Sequence, residues 1–171
     1  MMSGQPQSLY RSARRAFIAA CEAAQVETVA RLHPAKGPDG KPLFMDCAAL
    51  GPRHAAKAVL VVAQGAAGAA VLTALAVQSW PADARLVLVH ALDPAAFAGV
   101  AGDPAWPAAM LAAVATEDLS KVRDLAVLAL GGGGEELKPA LQAQLPKATI
   151  KVLLPAGDLE RAQGAIAAFF G

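Results

Sequence analysis

The sequence predicts an α/β fold, a single three-layer domain in which helices cover both faces of a mostly parallel sheet of about four strands. Short apolar runs rich in β-branched residues alternate with segments of helical periodicity. The length of 171 residues suits one hydrophobic core. With 56% hydrophobic and only 17% charged residues, that core can be large. We expect one domain over residues 1–171, with a helix and a hairpin in 1–55 and a parallel core in 56–171.

An amphipathic helix is predicted at residues 8–24, because Phe17 and Cys21 recur at helical spacing. Three arginines lie mostly off the apolar face, and we expect them to be solvated: Arg11, Arg14 and Arg15.

A β-hairpin is predicted next, with strands at residues 26–32 and 43–47. Its tip contains Pro38, Asp39 and Gly40, a turn signal, because proline presets φ and glycine tolerates a positive φ.

The remaining elements alternate along the chain, as a parallel sheet requires, since parallel strands need crossover connections. We predict strands at residues 58–63, 85–90, 125–129 and 149–154. We predict helices at residues 67–78, 106–115, 135–144 and 159–170.

Charge and apolar patterning exclude several function classes. A formal charge of +1 gives no electrostatic basis for binding nucleic acid or an anionic membrane. Residues 58–82 are uncharged, but a β-branched run and interrupting glycines argue against a membrane span. The N-terminus has no signal-peptide pattern. Cys21 and Cys47 lack metal or redox spacing, so we expect buried, reduced thiols and a cytoplasmic location.

The turn after the first parallel strand, residues 64–70, carries no hydroxyl, thiol, imidazole or carboxylate. Ligands of α/β folds bind at the carboxyl ends of the strands, where this turn lies. Its main-chain N–H groups are suited to a small anion, but the motifs of nucleotide-binding loops are incomplete. The residues expected to bind a ligand at this edge are Gln64, Gly65, Gly68 and Asp158.

Residues 33–46, 50–62 and 86–97 read HPAKGPDGKPLFMD, LGPRHAAKAVLVV and LVLVHALDPAAF. In these segments the chain resembles the N-terminal part of an uncharacterised zinc-carboxypeptidase-like family. In that family the turn reads GTHGVEG, and its histidine and glutamate bind zinc. Here Ala67 and Ala70 stand at those positions, and the arginine-rich stretch that follows in the family is missing. The resemblance therefore implies shared ancestry without the zinc ligands, and we expect no metal and no cofactor.

Residues 58–171 also resemble the last four strands of an α/β hydrolase, whose nucleophile lies in a G-x-S-x-G turn. Gly65 takes the place of that serine. A carboxylate is present after the third parallel strand, but residues 154–159 contain no histidine. This resemblance implies a hydrolase fold that has lost its catalytic triad.

The remaining catalytic candidates are weak. His90 ends a strand three residues before Asp93, so a hydrogen bond between them is one option, although a bond from His90 to the backbone is favoured. Glu135 follows a glycine-rich turn. We expect His33 and His54 to be solvated in loops.

The leading interpretation is a hydrolase-like domain without recognisable catalytic residues, which acts through binding or oligomerisation. A small metabolite or a protein partner would bind at the strand ends, and the chain could form a homo-oligomer. The alternative is an active hydrolase, carboxypeptidase-like or α/β-hydrolase-like, that uses unrecognised residues at the strand ends, such as His90, Asp93 and Glu135. A third option is a shortened or artificial chain without an evolved function.

Overall fold

The computed structural model describes residues 5–155 and 157–171. Residues 1–4 and 156, within the predicted N-terminal segment and the 154–159 loop, lie outside this part. Its elements are, in chain order, α1 (Gln5–Ala23), β1 (Thr28–Lys36), β2 (Pro42–Leu50), β3 (Lys57–Ala63), α2 (Ala66–Ala76), β4 (Arg85–His90), α3 (Pro94–Ala98), α4 (Trp106–Asp118), β5 (Asp124–Leu130), α5 (Gly134–Gln144), β6 (Thr149–Val152) and α6 (Leu159–Phe170).

The strands form one mixed sheet in the order β1-β2-β4-β3-β5-β6. β4, β3, β5 and β6 are mutually parallel, which confirms the predicted α/β class. The hairpin does not stand apart before this sheet, because β2 pairs antiparallel with β4 from Asp46 opposite His90 to Leu50 opposite Leu86. The hairpin thus adds two strands to the four that the sequence predicts.

β1 is the outer strand and runs further than predicted, from Thr28 to Lys36. It includes Pro34, and its register with β2 shifts between Leu32 and Lys36. A proline has no N–H for a strand ladder, so an edge position beside a bulge tolerates it. The predicted turn is present at the hairpin tip, where Gly40 has a φ of +74°.

Helices cover both faces of the sheet, because successive strand residues point to opposite sides. α1, α2 and α6 pack on the face that carries Val61, Leu88 and Leu128. α4 and α5 pack on the face that carries Leu60 and Val127. Within residues 5–155 and 157–171, the helices fall short of the length and apolar character that a bilayer-spanning helix needs.

The predicted solvation of the α1 arginines is wrong for two of the three. Arg14 donates from Nε to Asp46 Oδ2 at 2.7 Å, and the Asp46 side chain is only 1% exposed. Arg11 pairs with Asp39 at the hairpin tip, with 3.0 Å between Arg11 Nη2 and Asp39 Oδ1. Arg15 is exposed, as expected. These ion pairs tie α1 to the hairpin, a tertiary contact that helical periodicity does not reveal.

Candidate functional site

A cavity of about 520 Å³, here called the edge cavity, lies at the carboxyl end of β3. The start of α1, the β3–α2 turn and α3 form its walls. The residues that line it are Gln5, Pro6, Leu9, Gln64, Gly65, Ala66, Ala96 and Phe97. The carboxyl ends of parallel strands are where open α/β sheets bind ligands, so this cavity is the candidate site.

Gln64 joins two loops at the edge cavity. Its Nε2 donates to the Asp93 carbonyl oxygen at 2.7 Å, and its Oε1 accepts from the Asp93 main-chain N–H at 3.1 Å. The amide group of Gln64 is thereby engaged within the protein. Its place in the cavity wall agrees with the predicted position, while its role in ligand binding stays a prediction.

Glycine is favoured at two positions of the turn for different structural reasons. Gly65 has a φ of +85°, a backbone conformation that side chains with a Cβ rarely adopt. Gly68 permits close packing, because a Cβ there would lie 3.2 Å from the Leu130 carbonyl oxygen. Gly65 lines the edge cavity, whereas Gly68 seats α2 on β5. Within residues 5–155 and 157–171, no side chain caps the N-terminus of α2, so its first main-chain N–H groups have no side-chain acceptor there.

Asp93 caps the short helix α3, which the sequence analysis did not assign. Its Oδ1 accepts from the Ala96 main-chain N–H at 3.1 Å, and Pro94 follows at the first helical position. Gly99 then ends the helix in the left-handed conformation. The Asp-Pro pair was the signal that predicts this helix. The helix α3 places Phe97 in the wall of the edge cavity.

The prediction of a hydrogen bond from His90, to Asp93 or to the backbone, is wrong. The ring is fully buried, and neither Nδ1 nor Nε2 has a partner among the described residues. The ring stacks on Phe17, with 5.2 Å between centroids, and lies 6.1 Å from the Phe97 ring. The Asp93 carboxylate caps α3, so it does not bond to His90. Burial, with a smaller effect from the nearby charge of Arg14, lowers the pKa of His90 to about 4.

The other two histidines lie away from the edge cavity. The expectation of a solvated His33 is wrong, because it lies in β1, is 2% exposed and packs against Trp106 at 4.6 Å. Its Nδ1 accepts from the Ala35 main-chain N–H. β1 continues through Pro34, so the residue sits in a strand rather than a loop. His54 is exposed in a turn, as expected.

Glu135 and Asp158 follow the ends of β5 and β6, but neither lines the edge cavity. Glu135 is exposed in the first turn of α5, on the face of the sheet opposite to α2. Asp158 caps α6 by accepting from the Arg161 main-chain N–H at 2.8 Å. The structure therefore brings Gln64 and Gly65 together in the cavity wall, with Asp93 and His90 behind them.

The donor set at this edge does not fit the zinc ion that the zinc-carboxypeptidase-like family binds. Ala67 and Ala70 are exposed on the first turns of α2 and present methyl groups at both ligand positions. Throughout residues 5–155 and 157–171, no three His, Cys, Asp or Glu side chains are grouped so as to hold a metal ion. No step through zinc is derived for this chain.

A family model described as a protein of unknown function (DUF2817) matches residues 7–100. The chain belongs to this family. The match runs from α1 to just beyond α3, and so includes most of the edge cavity of this DUF2817 protein. The match also covers the segments in which the sequence resemblance lies. No curated protein matches the chain.

Several solved structures are similar to this DUF2817 protein in fold. Glutaminyl cyclase from Porphyromonas gingivalis has 14% sequence identity and a TM-score of 0.43, with 72% of this chain and 58% of that chain covered. Glutaminyl cyclase from Fimbriiglobus ruber has 15% identity and a TM-score of 0.44, with 68% and 52% covered. An aminopeptidase from Legionella pneumophila has 9% identity and a TM-score of 0.41, with 71% and 36% covered. The chain spans about half the length of the two cyclases.

The sequence analysis missed the apolar part of the cavity wall. Pro6 and Leu9 belong to the start of α1, which reaches the sheet edge only through tertiary packing. Phe97 is predictable in part, because the Asp-Pro pair indicates the start of the short helix α3 that contains it. These side chains give the edge cavity a mixed lining of apolar groups, amides and main-chain atoms.

Proposed function

We propose that this DUF2817 protein is a hydrolase-like domain that acts by binding rather than by catalysis, and that the edge cavity takes a small molecule. One observation carries the proposal. Among the residues that the structure describes, the cavity wall consists of glycine, alanine, proline, leucine and phenylalanine with two glutamine amides, and contains no titratable side chain. A concave, mostly apolar wall with a few polar groups is typical of ligand sites.

The three catalytic candidates have structural roles or lie away from the cavity. Covalent catalysis requires a nucleophile beside a base. His90 packs between aromatic rings rather than against a hydroxyl or thiol, and Asp93 caps α3. Glu135 starts a helix on the opposite face of the sheet. An active hydrolase built on these three candidates would need them together, so binding is the better supported function.

The proposal extends to partners and location. A protein partner or a second copy of the chain would contact the same edge, but the concave shape of the cavity favours a small ligand. Cys21 and Cys47 are buried and unpaired, which supports the expected reducing, cytoplasmic environment.

A matched pair of variants tests the proposal. Ala66→Trp places an indole in the edge cavity, whereas Ala70→Trp places one on the same helix outside it, at another exposed position. A thermal-shift screen of small metabolites is run on wild type and both variants. A ligand at about 100 times its Kd stabilises by about 2.7 kcal/mol, and we expect that shift to vanish only in Ala66→Trp.

Turnover assays decide between binding and catalysis. Wild type is assayed with ester, amide and C-terminal peptide substrates, beside His90→Ala. We expect no turnover in either protein. Turnover that His90→Ala abolishes, or ligand shifts that survive Ala66→Trp, would reject the proposed function.

A further inference from the structure

The end of β4 carries two unfavourable features at adjacent positions. His90 is fully buried with both ring nitrogens unpartnered among the described residues. Ala91, also fully buried, has a φ of +59°, a conformation that residues with a Cβ rarely adopt. Buried polar groups nearly always have hydrogen-bond partners, and backbone strain concentrates at functional positions. Together these features mark the end of β4 as a position kept for more than packing.

The His90 ring lies behind the wall of the edge cavity. The same helices bound both places, since α1 supplies Leu9 to the cavity and Phe17 to the ring, while α3 supplies Phe97 to both. Phe97 is the cavity residue whose ring packs near the imidazole. Phe97 therefore stands between the cavity and His90.

We infer that His90 recognises the ligand of the edge cavity, and that this ligand is a small apolar carboxylate that reaches the imidazole when the Phe97 side chain turns aside. The inference rests on the proposed function, since it names the ligand class of the same cavity. The carboxylate accepts a hydrogen bond from the imidazole N–H, which has no other acceptor in the free protein.

The ion pair beside the ring does not oppose the binding of a carboxylate. Arg14 from α1, whose charge acts on His90, and Asp46 from β2, which lies opposite His90 in the strand register, are bonded to each other. The Asp46 carboxylate is thus neutralised by Arg14 and does not repel an incoming anion. The uncapped N-terminus of α2 adds the positive end of a helix dipole at the cavity mouth, and Pro6 and Leu9 supply apolar walls.

Binding of a carboxylate also changes the protonation of His90. A buried imidazole beside a carboxylate binds a proton more strongly than one beside aromatic rings alone. The ligated pair therefore takes up one proton from solvent, forming imidazolium and carboxylate. This uptake gives the inference a readout that packing alone would not produce.

Phenylacetate is the probe, and 2-phenylethanol is its matched control without the carboxylate. The chain has three histidines, so ¹⁵N spectra of the imidazoles resolve His90 once His90→Phe and His33→Phe are compared with wild type. We expect phenylacetate to shift the His90 nitrogens toward the imidazolium position. We expect calorimetry in buffers of different ionisation enthalpy to detect proton uptake.

Affinities complete the test. His90→Phe keeps an aromatic ring but loses the donor, and we expect about ten-fold weaker phenylacetate binding, the effect of losing a hydrogen bond to a charged group. His33→Phe alters the other buried imidazole, outside the edge cavity, and we expect unchanged affinity. Phe97→Leu replaces the ring between the cavity and His90 with a smaller side chain, so we expect phenylacetate to bind more tightly.

The outcomes separate the two claims. Equal phenylacetate affinity in wild type and His90→Phe, or no phenylacetate binding to wild type, overturns the inference and leaves the cavity proposal standing. Metabolite shifts that survive Ala66→Trp overturn the cavity proposal itself.

Discussion

Asp46 and His90 lie directly opposite each other in the register of β2 and β4, yet they form no hydrogen bond. Both Asp46 oxygens accept from Arg14, at 2.7 Å and 3.1 Å, and the imidazole is left to the rings of Phe17 and Phe97. The helix α1 thus captures the carboxylate that would otherwise orient the histidine. A potential acid–base pair has become one structural ion pair and one isolated neutral base.

The Arg14–Asp46 pair should contribute strongly to the docking of α1. Arg14→Met leaves the Asp46 carboxylate buried and uncompensated, and removal of one partner of a buried pair typically costs about 3–5 kcal/mol. Arg14 is 24% exposed on its side chain, so we expect the lower end of that range. Urea unfolding measures the loss, with the exposed Arg15→Met as the control, for which we expect a change within about 0.5 kcal/mol. Equal stability of the two variants would contradict the assigned role.

The stability of the fold should fall on mild acidification because of His90. Its pKa is lowered from 6.5 in the unfolded chain to about 4 in the folded protein, mainly by burial. Between these values the unfolded state binds a proton that the folded state does not, so stability is full above pH 6.5 and declines as pH falls toward 4. In total, this difference in His90 pKa should lower the free energy of unfolding by roughly 3 kcal/mol.

The measurement is a comparison of unfolding free energies at several pH values. His90→Phe lacks the titrating ring, so the difference between wild type and this variant should change in favour of the variant as pH falls from 6.5. Burial raises the pKa of Asp46, which acts in the opposite sense, but both proteins retain Asp46, so the difference isolates His90. A difference that is constant with pH would show that the ring is hydrated or paired in solution.

Gly68 should tolerate a side chain less well than Gly164. A Cβ on Gly68 would meet the Leu130 carbonyl oxygen at 3.2 Å, so we expect Gly68→Ala to destabilise by about 1–3 kcal/mol. A Cβ on Gly164 in α6 meets no atom within 4 Å, and Gly164→Ala should stabilise by about 0.5–1 kcal/mol. Thermal unfolding of both variants measures the two signs. Similar effects at both positions would refute the close packing of α2 on β5.

The cap of α3 should control both local stability and the cavity wall. Asp93→Ala removes the acceptor for the Ala96 N–H and should cost about 1 kcal/mol. Asp93→Asn keeps a capping oxygen and should be nearly neutral. Hydrogen exchange at Ala96 and Phe97 reports the loss locally, and faster exchange in both variants would mean that the carboxylate charge, rather than the cap, holds the helix.

The sequence predicts the regular elements well where local pattern determines them. The strand at residues 85–90 and the helix at residues 159–170 match β4 and α6, because a continuous apolar run and a capped amphipathic repeat are local signals. The edge position of the carboxyl ends also follows from the parallel pattern.

The rest depends on contacts between residues distant in sequence. Arg14 and His33 were assigned to solvent because nothing near them in sequence reveals Asp46 or Trp106, their partners in space. The edge cavity includes the start of α1 for the same reason, since the first helix meets the β3–α2 turn only after the sheet is assembled. The lack of reactive side chains in the turn at residues 64–70 is evident from the sequence. The part of the cavity wall that α1 forms is not.

Pro34 and the register shift in β1 have a consequence for association at high concentration. β1 forms one margin of the sheet, and an unprotected margin offers a row of N–H and C=O groups to any other strand. Pro34 offers no N–H, and the bulge beside it distorts the spacing that a further strand would need. This margin is therefore a poor template for fibril growth or strand exchange, although Val29 and Leu32 on the same strand are exposed.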